Sequence, residues 1–225
     1  MLIEFKGKRI LVAGAARGIG HAISRAFATR GGRVVAADLL VDRMLDLVGA
    51  DASGGNIEAH KIDVTEPASI DSLLHSAGPF DVLVYVAGGV RGQRAQPLEQ
   101  VTPDAFRDIV DVNLTGCFLL AKAVTPGMKV RGTGRIVTIS SRAGLATSLT
   151  SIQSYAAAKH AQIGLVKQLA SELGPFGITV NSVAPGFMAT SPDYERQWAS
   201  YSEEFRRQFA EVSKTERLSA SAFQS

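Results

Sequence analysis

Six short apolar runs are spaced along the chain and alternate with helical patterns. The runs are rich in valine and isoleucine and lack strict polar alternation, which is typical of strands buried on both faces. They cover residues 10–13, 34–37, 57–62, 82–87, 136–139 and 178–183. Helical periodicity covers residues 22–30, 67–77, 103–124, 152–173 and 194–211. Pro67 and Pro103 suit first helical turns, and Thr65 and Thr102 are the predicted N-caps.

The order of these elements predicts an α/β fold. Strands that alternate with helices form parallel sheets through right-handed crossovers, so we expect a Rossmann-like, doubly wound parallel sheet with helices on both faces. Because no repeat or linker-like break interrupts the pattern, residues 1–211 are predicted to form a single domain. Residues 212–225 hold no apolar strand, and we expect them to be a solvated or disordered tail.

Composition and charge exclude several classes of protein. The chain has 225 residues, of which 46% are hydrophobic, and this argues against a disordered chain. Its 24 Lys and Arg residues against 21 Asp and Glu residues leave a formal net charge of +3. No long basic cluster accompanies this small surplus, so we predict no nucleic-acid partner.

Targeting and redox features favour the cytoplasm. The N-terminal segment MLIEFKGKR is charged before any apolar stretch begins, so it predicts neither a secretory signal nor an anchor. The longest uncharged window, residues 173–192, is broken by prolines and predicts no membrane span. Cys117 is the only cysteine and lies among apolar residues, which indicates packing in a reducing compartment.

A glycine-rich loop follows the first predicted strand. Gly14, Gly18 and Gly20 lie between this strand and the first predicted helix. Glycines there let the backbone approach a pyrophosphate, whose charge is met by N–H groups at the helix N-terminus. The spacing differs from the common G-x-G-x-x-G, so it is the position of the loop that favours a dinucleotide site over an ordinary turn.

Asp38 ends the second predicted strand, near the spacing at which a carboxylate reaches the adenosine ribose. A 2′-phosphate beside this carboxylate would be repelled, which favours NAD over NADP. Arg17 favours the opposite choice, because a guanidinium in the loop could bind that phosphate. Asp38 could also cap the turn that begins at Leu40, and the two roles can coexist.

Tyr155 and Lys159 lie four residues apart in a helical pattern and therefore project from one face. Tyrosine, with an ordinary pKa near 10, is a poor acid or base at neutral pH. An ammonium one turn away stabilises the phenolate, and lowering its pKa to near neutrality takes roughly 4 kcal/mol. Such a pair is also common by chance. Ser140 and Ser141 end a predicted strand at the carboxyl edge, where a hydroxyl could hold a substrate carbonyl.

Together these motifs resemble the classical short-chain dehydrogenases/reductases, and among them members similar to 3-oxoacyl-carrier-protein reductase. The resemblance runs from about Lys8 to Thr190, with the motifs in the family's order. The matching features are T-G-x-x-x-G-x-G with Ala13 in place of threonine, the adenine-contacting acidic position at Asp63 and Val64, D-x-L-V-N-N-A-G at residues 81–88, Asn113, the serine strand end at residues 139–141, Y-x-x-x-K at Tyr155 and Lys159, and N-x-V-x-P-G-x-x-x-T at residues 181–190.

The resemblance implies hydride transfer between a nicotinamide and a carbinol carbon. Tyr155 would exchange the hydroxyl proton, and Ser141 would hold the oxygen. Because the interval from Ser141 to Tyr155 is longer than expected for the family, Ser140 is an alternative for this role. Lys159 would bind the ribose and lower the pKa of Tyr155, while Asn113 would hold a water linking Lys159 to solvent. No metal is implied. The implied cofactor contacts are Gly14, Arg17, Gly18, Ile19, Gly20, Asp38, Asp63, Val64, Ala87, Gly88, Tyr155, Lys159, Pro185, Gly186 and Thr190.

The chain departs from the family pattern at two places. Tyr85 and Val86 stand where the family usually has two asparagines, so a larger side chain must be accommodated near the cofactor ribose. The C-terminal VSKTERLSASAFQS does not resemble the family's last helix and strand. We therefore expect the final strand to be missing, and the dimer or tetramer typical of the family to be weakened.

The predicted function is that of an NAD-dependent dehydrogenase or reductase acting on a small-molecule alcohol or carbonyl compound. Sugars, ketoacyl thioesters, steroids and cyclic alcohols are all compatible with the sequence. The alternative is a cofactor-binding protein with little or no turnover because of its shortened C-terminus. The presence of all four implied catalytic side chains favours the enzyme.

Overall fold

Alternating strands and helices build the first of two units in the computed structural model, residues 1–184, and residues 185–225 form the second. The structure describes residues 3–148, 150–186, 198–199, 201–204 and 206–207. The strands are β1 Arg9–Ala13, β2 Arg33–Asp38, β3 Gly49–Ala50, β4 Asn56–Lys61, β5 Val82–Tyr85, β6 Gly134–Ile139 and β7 Ile178–Val183. The α-helices are α1 Gly18–Ala28, α2 Pro67–Ala77, α3 Pro103–Val110, α4 Gly116–Arg131 and α5 Gln153–Leu173.

The strands form one sheet in the order β3-β4-β2-β1-β5-β6-β7. Every pair is parallel except β3 with β4. The six predicted strands are confirmed; β3 was not predicted, because two exposed residues leave no apolar run. After β1 the chain adds β2 and β4 on one side of β1, and it then places β5, β6 and β7 on the other side of β1. This reversal opens a crevice at the carboxyl ends of β1 and β5, where such sheets bind ligands.

Helices cover both faces of the sheet. Side chains alternate along β1, so Leu11 and Ala13 join the core cluster that α2, α4 and α5 complete. Ile10 and Val12 point to the other face and join the cluster that α1 covers. The predicted Rossmann-like, doubly wound sheet is therefore confirmed.

The predicted helix over residues 103–124 is two helices joined by a π-helical turn, Asp111–Thr115. Apolar periodicity continues through this turn, which is why the sequence pattern did not reveal it. Thr102 caps α3 as predicted, its hydroxyl oxygen accepting a hydrogen bond of 3.2 Å from the Ala105 N–H. The predicted Thr65 cap is wrong: Glu66 is the N-cap of α2, and the Thr65 hydroxyl donates to Asp63 instead.

The helical stretch Pro103–Arg131 is long and apolar enough to cross a membrane, judged by length and composition alone, and 39% of its most apolar window is buried. The expectation of no span rested on a different window, residues 173–192. The buried apolar side chains of α4 belong to the core cluster against the sheet. The core helix of a soluble protein passes the same test, so this stretch is weak evidence for a membrane.

The second unit is described only in part. Residues 198–199, 203–204 and 206–207 are helical, within the helix predicted over residues 194–211. The rings of Trp198 and Tyr201 meet edge to face at 6.4 Å between centroids. The predicted tail, residues 212–225, lies outside the described residues, and the domain boundary at 211 stays a prediction.

Candidate active site

The glycine loop after β1 is too tightly packed to carry side chains at two of its glycines. Gly14 has a φ of +91°, and a β-carbon there would overlap the backbone of Ala87. A β-carbon on Gly20 would overlap the carbonyl oxygen of Gly14. The loop therefore packs against both the first turn of α1 and the segment after β5, while Gly14 stays partly exposed to an approaching ligand.

The N-terminus of α1 completes this cradle. Gly18 begins the helix with a φ of +49°, and the N-cap residue, Arg17, makes no side-chain cap. Arg17, Gly18 and Ile19 are partly exposed. A helix end of this kind presents N–H groups and the positive end of the helix dipole to an anion. The cradle therefore fits the pyrophosphate of a dinucleotide cofactor.

Asp38 joins the end of β2 to the glycine loop. One carboxylate oxygen accepts a hydrogen bond of 3.1 Å from the Ala16 N–H, and the other accepts one of 3.0 Å from the Leu40 N–H. The bond from Leu40 corresponds to the capping role considered for this residue. The bond from Ala16 places the negative charge beside the loop, and the side chain remains partly exposed.

Asp63 and Val64 follow β4 at the same edge of the sheet. An Asp63 carboxylate oxygen accepts hydrogen bonds from the N–H and the hydroxyl of Thr65, at 2.9 and 2.6 Å. Val64 is buried and lies against Gly116, where a β-carbon would overlap it. Asp63 is partly exposed, so its carboxylate is held in place by the turn and still reaches solvent.

The segment after β5 connects the glycine loop to α5. The Ala87 N–H donates a hydrogen bond of 2.9 Å to the carbonyl of Ala13, the last residue of β1. Gly88 has a φ of +152°, and a β-carbon there would contact the Asn113 side chain and lie 3.4 Å from the Lys159 ammonium. The predicted cofactor loop and the predicted catalytic lysine thus meet at Ala87 and Gly88.

Tyr85, which stands in place of a family asparagine, is accommodated away from this segment. Its side chain is fully buried, and its hydroxyl donates a hydrogen bond of 2.6 Å to the carbonyl of Val112 in the π-turn. Burial raises the pKa of this phenol well above its usual value. Tyr85 is therefore a permanent hydrogen-bond donor in the core.

Asn113 lies in the π-turn and is fully buried. Its amide oxygen accepts a hydrogen bond of 3.0 Å from the Gly89 N–H, and its amide nitrogen donates to the carbonyls of Gly89 and Ile109 at 2.9 and 2.8 Å. The side chain therefore fixes the loop after β5. The predicted relay water at this residue stays a prediction.

Tyr155 and Lys159 lie on the same buried face of α5, as their spacing predicted. The Lys159 ammonium is 5.8 Å from the centroid of the Tyr155 ring. The ring itself packs in a small apolar cluster with Ile109, Ala143 and Ile152. An apolar setting of this kind strengthens the electrostatic effect of the ammonium on the phenol, because little water screens it.

Lys159 is the most strongly perturbed amine of the site. Its ammonium donates a hydrogen bond of 2.9 Å to the carbonyl of Ile139 at the end of β6. Burial lowers its pKa from 10.5 to about 8. Burial also raises the pKa of Cys117 to about 11, so the thiol is protonated and inert at neutral pH.

The two serines after β6 have different surroundings. Ser140 is buried, and its hydroxyl donates a hydrogen bond of 3.2 Å to the Lys159 carbonyl. Ser141 is partly exposed, and its hydroxyl oxygen accepts a hydrogen bond of 3.1 Å from the Ala143 N–H. Ser140 therefore ties β6 to α5, while Ser141 keeps its own hydroxyl proton for another partner.

Gln162 belongs to the site and was missed in the sequence. It is fully buried, its amide nitrogen donates a hydrogen bond of 3.0 Å to the Asn113 carbonyl, and its amide oxygen lies 3.5 Å from the Lys159 ammonium. A signal was present: Gln162 follows Lys159 by three positions and therefore shares its helix face. Buried polar side chains are normally hydrogen-bonded, so a glutamine on the face that carries Tyr155 and Lys159 indicates a hydrogen-bonding partner there.

For three predicted cofactor contacts, the position relative to the other site residues is not described. Pro185 and Gly186 belong to the second unit. Thr190 lies outside the described residues.

Comparison with known proteins shows what the chain is similar to. The family model of the short chain dehydrogenases matches residues 8–198. A 3-oxoacyl-[acyl-carrier-protein] reductase, FabG of Salmonella typhimurium, is 39% identical over 192 residues, which are 84% of this chain and 76% of that protein.

Solved structures agree with this assignment. A 3-oxoacyl-[acyl-carrier protein] reductase from Brucella melitensis with bound NAD superposes with a TM-score of 0.76 at 37% identity, covering 86% of this chain and 76% of its own. An NAD(P)-dependent protein from Beutenbergia cavernae with NADP at low occupancy gives a TM-score of 0.79 at 31% identity, covering 92% and 81%. The chain therefore belongs to the short-chain dehydrogenase/reductase family and is an NAD(P)-dependent oxidoreductase.

Proposed function

We propose that the chain interconverts a secondary alcohol and a ketone, with Tyr155 as the group that exchanges the hydroxyl proton. The observation that carries this proposal is the position of Tyr155 and Lys159 side by side on the buried face of α5. Lys159 also borders Gly88, in the segment against which the glycine loop packs. A nicotinamide cofactor supplies the hydride chemistry when bound.

Lys159 has two tasks in this proposal. Its positive charge stabilises the Tyr155 phenolate, which makes the phenol a usable acid in ketone reduction and a usable base in alcohol oxidation. An ammonium carries three N–H donors, and a ribose hydroxyl needs only one of them. The Ile139 carbonyl bond fixes the ammonium from the side of the sheet.

We assign the oxygen-holding role to Ser141 rather than Ser140. The Ser140 hydroxyl is buried and donates to the helix backbone. Ser141 uses its oxygen as an acceptor and is partly exposed at the carboxyl edge of β6, so its proton can reach a substrate oxygen. For Asn113 we propose that it positions the loop at Gly89 and holds the predicted relay water.

We infer a preference for NAD over NADP from Asp38. The Ala16 N–H holds its carboxylate beside the glycine loop, at the end of β2 where an adenosine ribose binds in this fold. A 2′-phosphate there would bring close to two further negative charges beside it. Gly14, Arg17, Gly18, Ile19, Gly20, Asp63, Val64, Ala87, Gly88, Pro185, Gly186 and Thr190 complete the proposed cofactor contacts.

The substrate class is proposed from similarity and remains a small-molecule alcohol or carbonyl compound. The 39% identity to a 3-oxoacyl-[acyl-carrier-protein] reductase makes a 3-oxoacyl thioester the first compound to test. We further propose a cytoplasmic location, since the buried Cys117 thiol suits a reducing compartment. We also propose a homo-oligomer, which size-exclusion chromatography with light scattering would identify.

The test is NADH oxidation with acetoacetyl-CoA, followed by a panel of ketones and, in reverse, secondary alcohols. We expect Tyr155→Phe to lower kcat by a hundredfold to ten-thousandfold, as loss of an acid–base group does, while NADH still binds. Lys167→Ala, at an exposed position of α5, is the control and should keep wild-type turnover. Full turnover of Tyr155→Phe would exclude the role assigned to Tyr155. NADH binding without hydride transfer to any compound would instead favour a cofactor-binding protein.

A further inference from the structure

Two side chains satisfy consecutive carbonyl groups of the π-turn that carries Asn113. Tyr85 of β5 donates to the Val112 carbonyl at 2.6 Å, and Gln162 of α5 donates to the Asn113 carbonyl at 3.0 Å. A π-turn disturbs the regular helical ladder, so its carbonyl groups depend more on partners from outside the helix. Gln162 makes a second contact that Tyr85 does not make: the oxygen of its side-chain amide faces Lys159.

The partners of Gln162 allow only one orientation of its amide. An ammonium only donates hydrogen bonds and a carbonyl only accepts them, so the amide oxygen must face Lys159 and the nitrogen must face Asn113. The observed contacts have this arrangement, at 3.5 and 3.0 Å. Gln162 and Lys159 are both buried, so water does not substitute readily for either contact.

We propose that Gln162 is a positioning residue that holds the Lys159 ammonium between α5 and the π-turn and so sets the acidity of Lys159. A primary amide donates and accepts hydrogen bonds at once without readily giving up a proton. Gln162 therefore fixes Lys159 and stabilises its charged form without acting as an acid or base. The consequence for catalysis rests on the proposed function, in which the charge of Lys159 governs Tyr155.

Few charged side chains on the elements around Lys159 could influence its pKa in place of Gln162. Cys117 on α4 is the nearby titratable side chain, and because burial raises its pKa to about 11 its thiol is uncharged in the range where Lys159 titrates. Tyr155 lies one turn earlier on α5, and Tyr85 faces the π-turn from β5. The remaining charged residues on described elements packed against α5 are Asp104, Arg107 and Asp108, all exposed, and Asp111 and Arg142, both partly exposed.

The first test measures Lys159 directly in the protein without cofactor. Lysine side chains labelled with ¹³C at the ε position are titrated by NMR, and the Lys159 signal is assigned from its loss in Lys159→Met. In Gln162→Met the ammonium loses an acceptor, so we expect its acid dissociation constant to rise about tenfold. In Gln162→Glu it gains a negative neighbour, and the constant should fall about tenfold or more.

Gln168→Met is the matched control, because Gln168 lies on the exposed face of the same helix. Its Lys159 titration should equal that of the wild type. If Gln162→Met and Gln162→Glu also titrate like the wild type, the proposal is overturned, even if both unfold at lower temperature. Should Gln162→Met fail to fold, the titration of the similarly sized Gln162→Glu decides the matter alone.

The second test uses turnover. In ketone reduction, activity falls at high pH as Lys159 loses its charge, so this limb of the kcat profile should move to lower pH in Gln162→Met and to higher pH in Gln162→Glu. We expect kcat of Gln162→Met at neutral pH to fall several-fold, with KM for NADH changed less. Unmoved profiles in both variants would contradict the proposal. A wild-type chain without turnover would overturn the proposed function, whereas the NMR titration would still decide the role of Gln162.

Discussion

The Asn113 carboxamide pairs with both backbone polar groups of Gly89, accepting from its N–H at 3.0 Å and donating to its carbonyl at 2.9 Å. This double contact joins the π-turn between α3 and α4 to the loop that follows β5. Gly88, the preceding residue, lies against Lys159. The position of the loop relative to the proposed proton-transfer site therefore depends on one buried side chain.

We expect Asn113→Ala to lower the free energy of unfolding by about 2–4 kcal/mol, because the buried Ile109 carbonyl and both backbone polar groups of the partly buried Gly89 lose their partner. Urea unfolding followed by circular dichroism measures this. Asn56→Ala, at a partly exposed position of β4, is the control, with an expected loss below about 1 kcal/mol. Equal losses in the two variants would show that the carboxamide does not hold the loop.

The sequence predicted the parts of the fold that depend on local periodicity. All six long strands, α2 and α5 followed from apolar patterns, and the cluster of motifs at the carboxyl edge followed from the parallel order of the strands. The π-turn could not be predicted, because the apolar pattern of residues 103–124 continues through it. β3 is too short and too exposed for a pattern to reveal it.

The parts of the site that depend on the spacing of residues along one helix were predictable, whereas those that depend on contacts between distant elements were not. The spacing of Tyr155 and Lys159 placed both on one face, and the structure agrees. Nothing in the local sequence shows that Tyr85 reaches Val112 or that Gln162 reaches Asn113, since these contacts join residues 27 and 49 positions apart. Such contacts depend on how helices pack on the sheet.

Burial of Lys159 makes stability depend on pH. Its pKa falls from 10.5 in the unfolded chain to about 8 in the folded protein, so below pH 8 burying the ammonium costs about 3 kcal/mol. Between about pH 8 and 10.5 the unfolded chain binds more protons, and the free energy of unfolding rises with pH. Cys117 acts in the opposite direction, because burial raises its pKa from 9.0 to about 11. The Lys159 contribution must therefore be isolated with a variant.

We expect the stability of Lys159→Met relative to the wild type to decrease by about 3 kcal/mol between pH 7.5 and 10.5. The methionine carries no charge, so only the wild type gains from losing the buried proton. Urea unfolding of both proteins across this range measures the difference. Lys167→Met, at an exposed position on α5, should show a difference that does not change with pH. A pH-independent difference for Lys159→Met as well would mean that Lys159 titrates normally.

Asp38→Asn should relax the preference between the two nicotinamide cofactors. The asparagine side chain keeps one oxygen that can accept a hydrogen bond from a backbone N–H, as the Asp38 carboxylate does from Ala16 and Leu40. It removes the negative charge that repels a 2′-phosphate. We expect the ratio of kcat/KM for NADPH to that for NADH to rise about tenfold or more. Asp42→Asn removes the same charge at an exposed position four residues later and should leave the ratio unchanged. An equal rise in both variants would attribute the preference to net charge rather than to Asp38.

Gly20→Ala and Gly164→Ala should change stability in opposite directions. A β-carbon on Gly20 would overlap the Gly14 carbonyl, so the loop must move, at a cost of about 1–3 kcal/mol. Nothing lies within 4 Å of a β-carbon on Gly164, an exposed position of α5, and alanine there should add about 0.5–1 kcal/mol. Urea unfolding measures both, and NADH fluorescence titration should show weaker binding in Gly20→Ala alone. Wild-type stability and NADH affinity in Gly20→Ala would mean that the loop does not pack against α1.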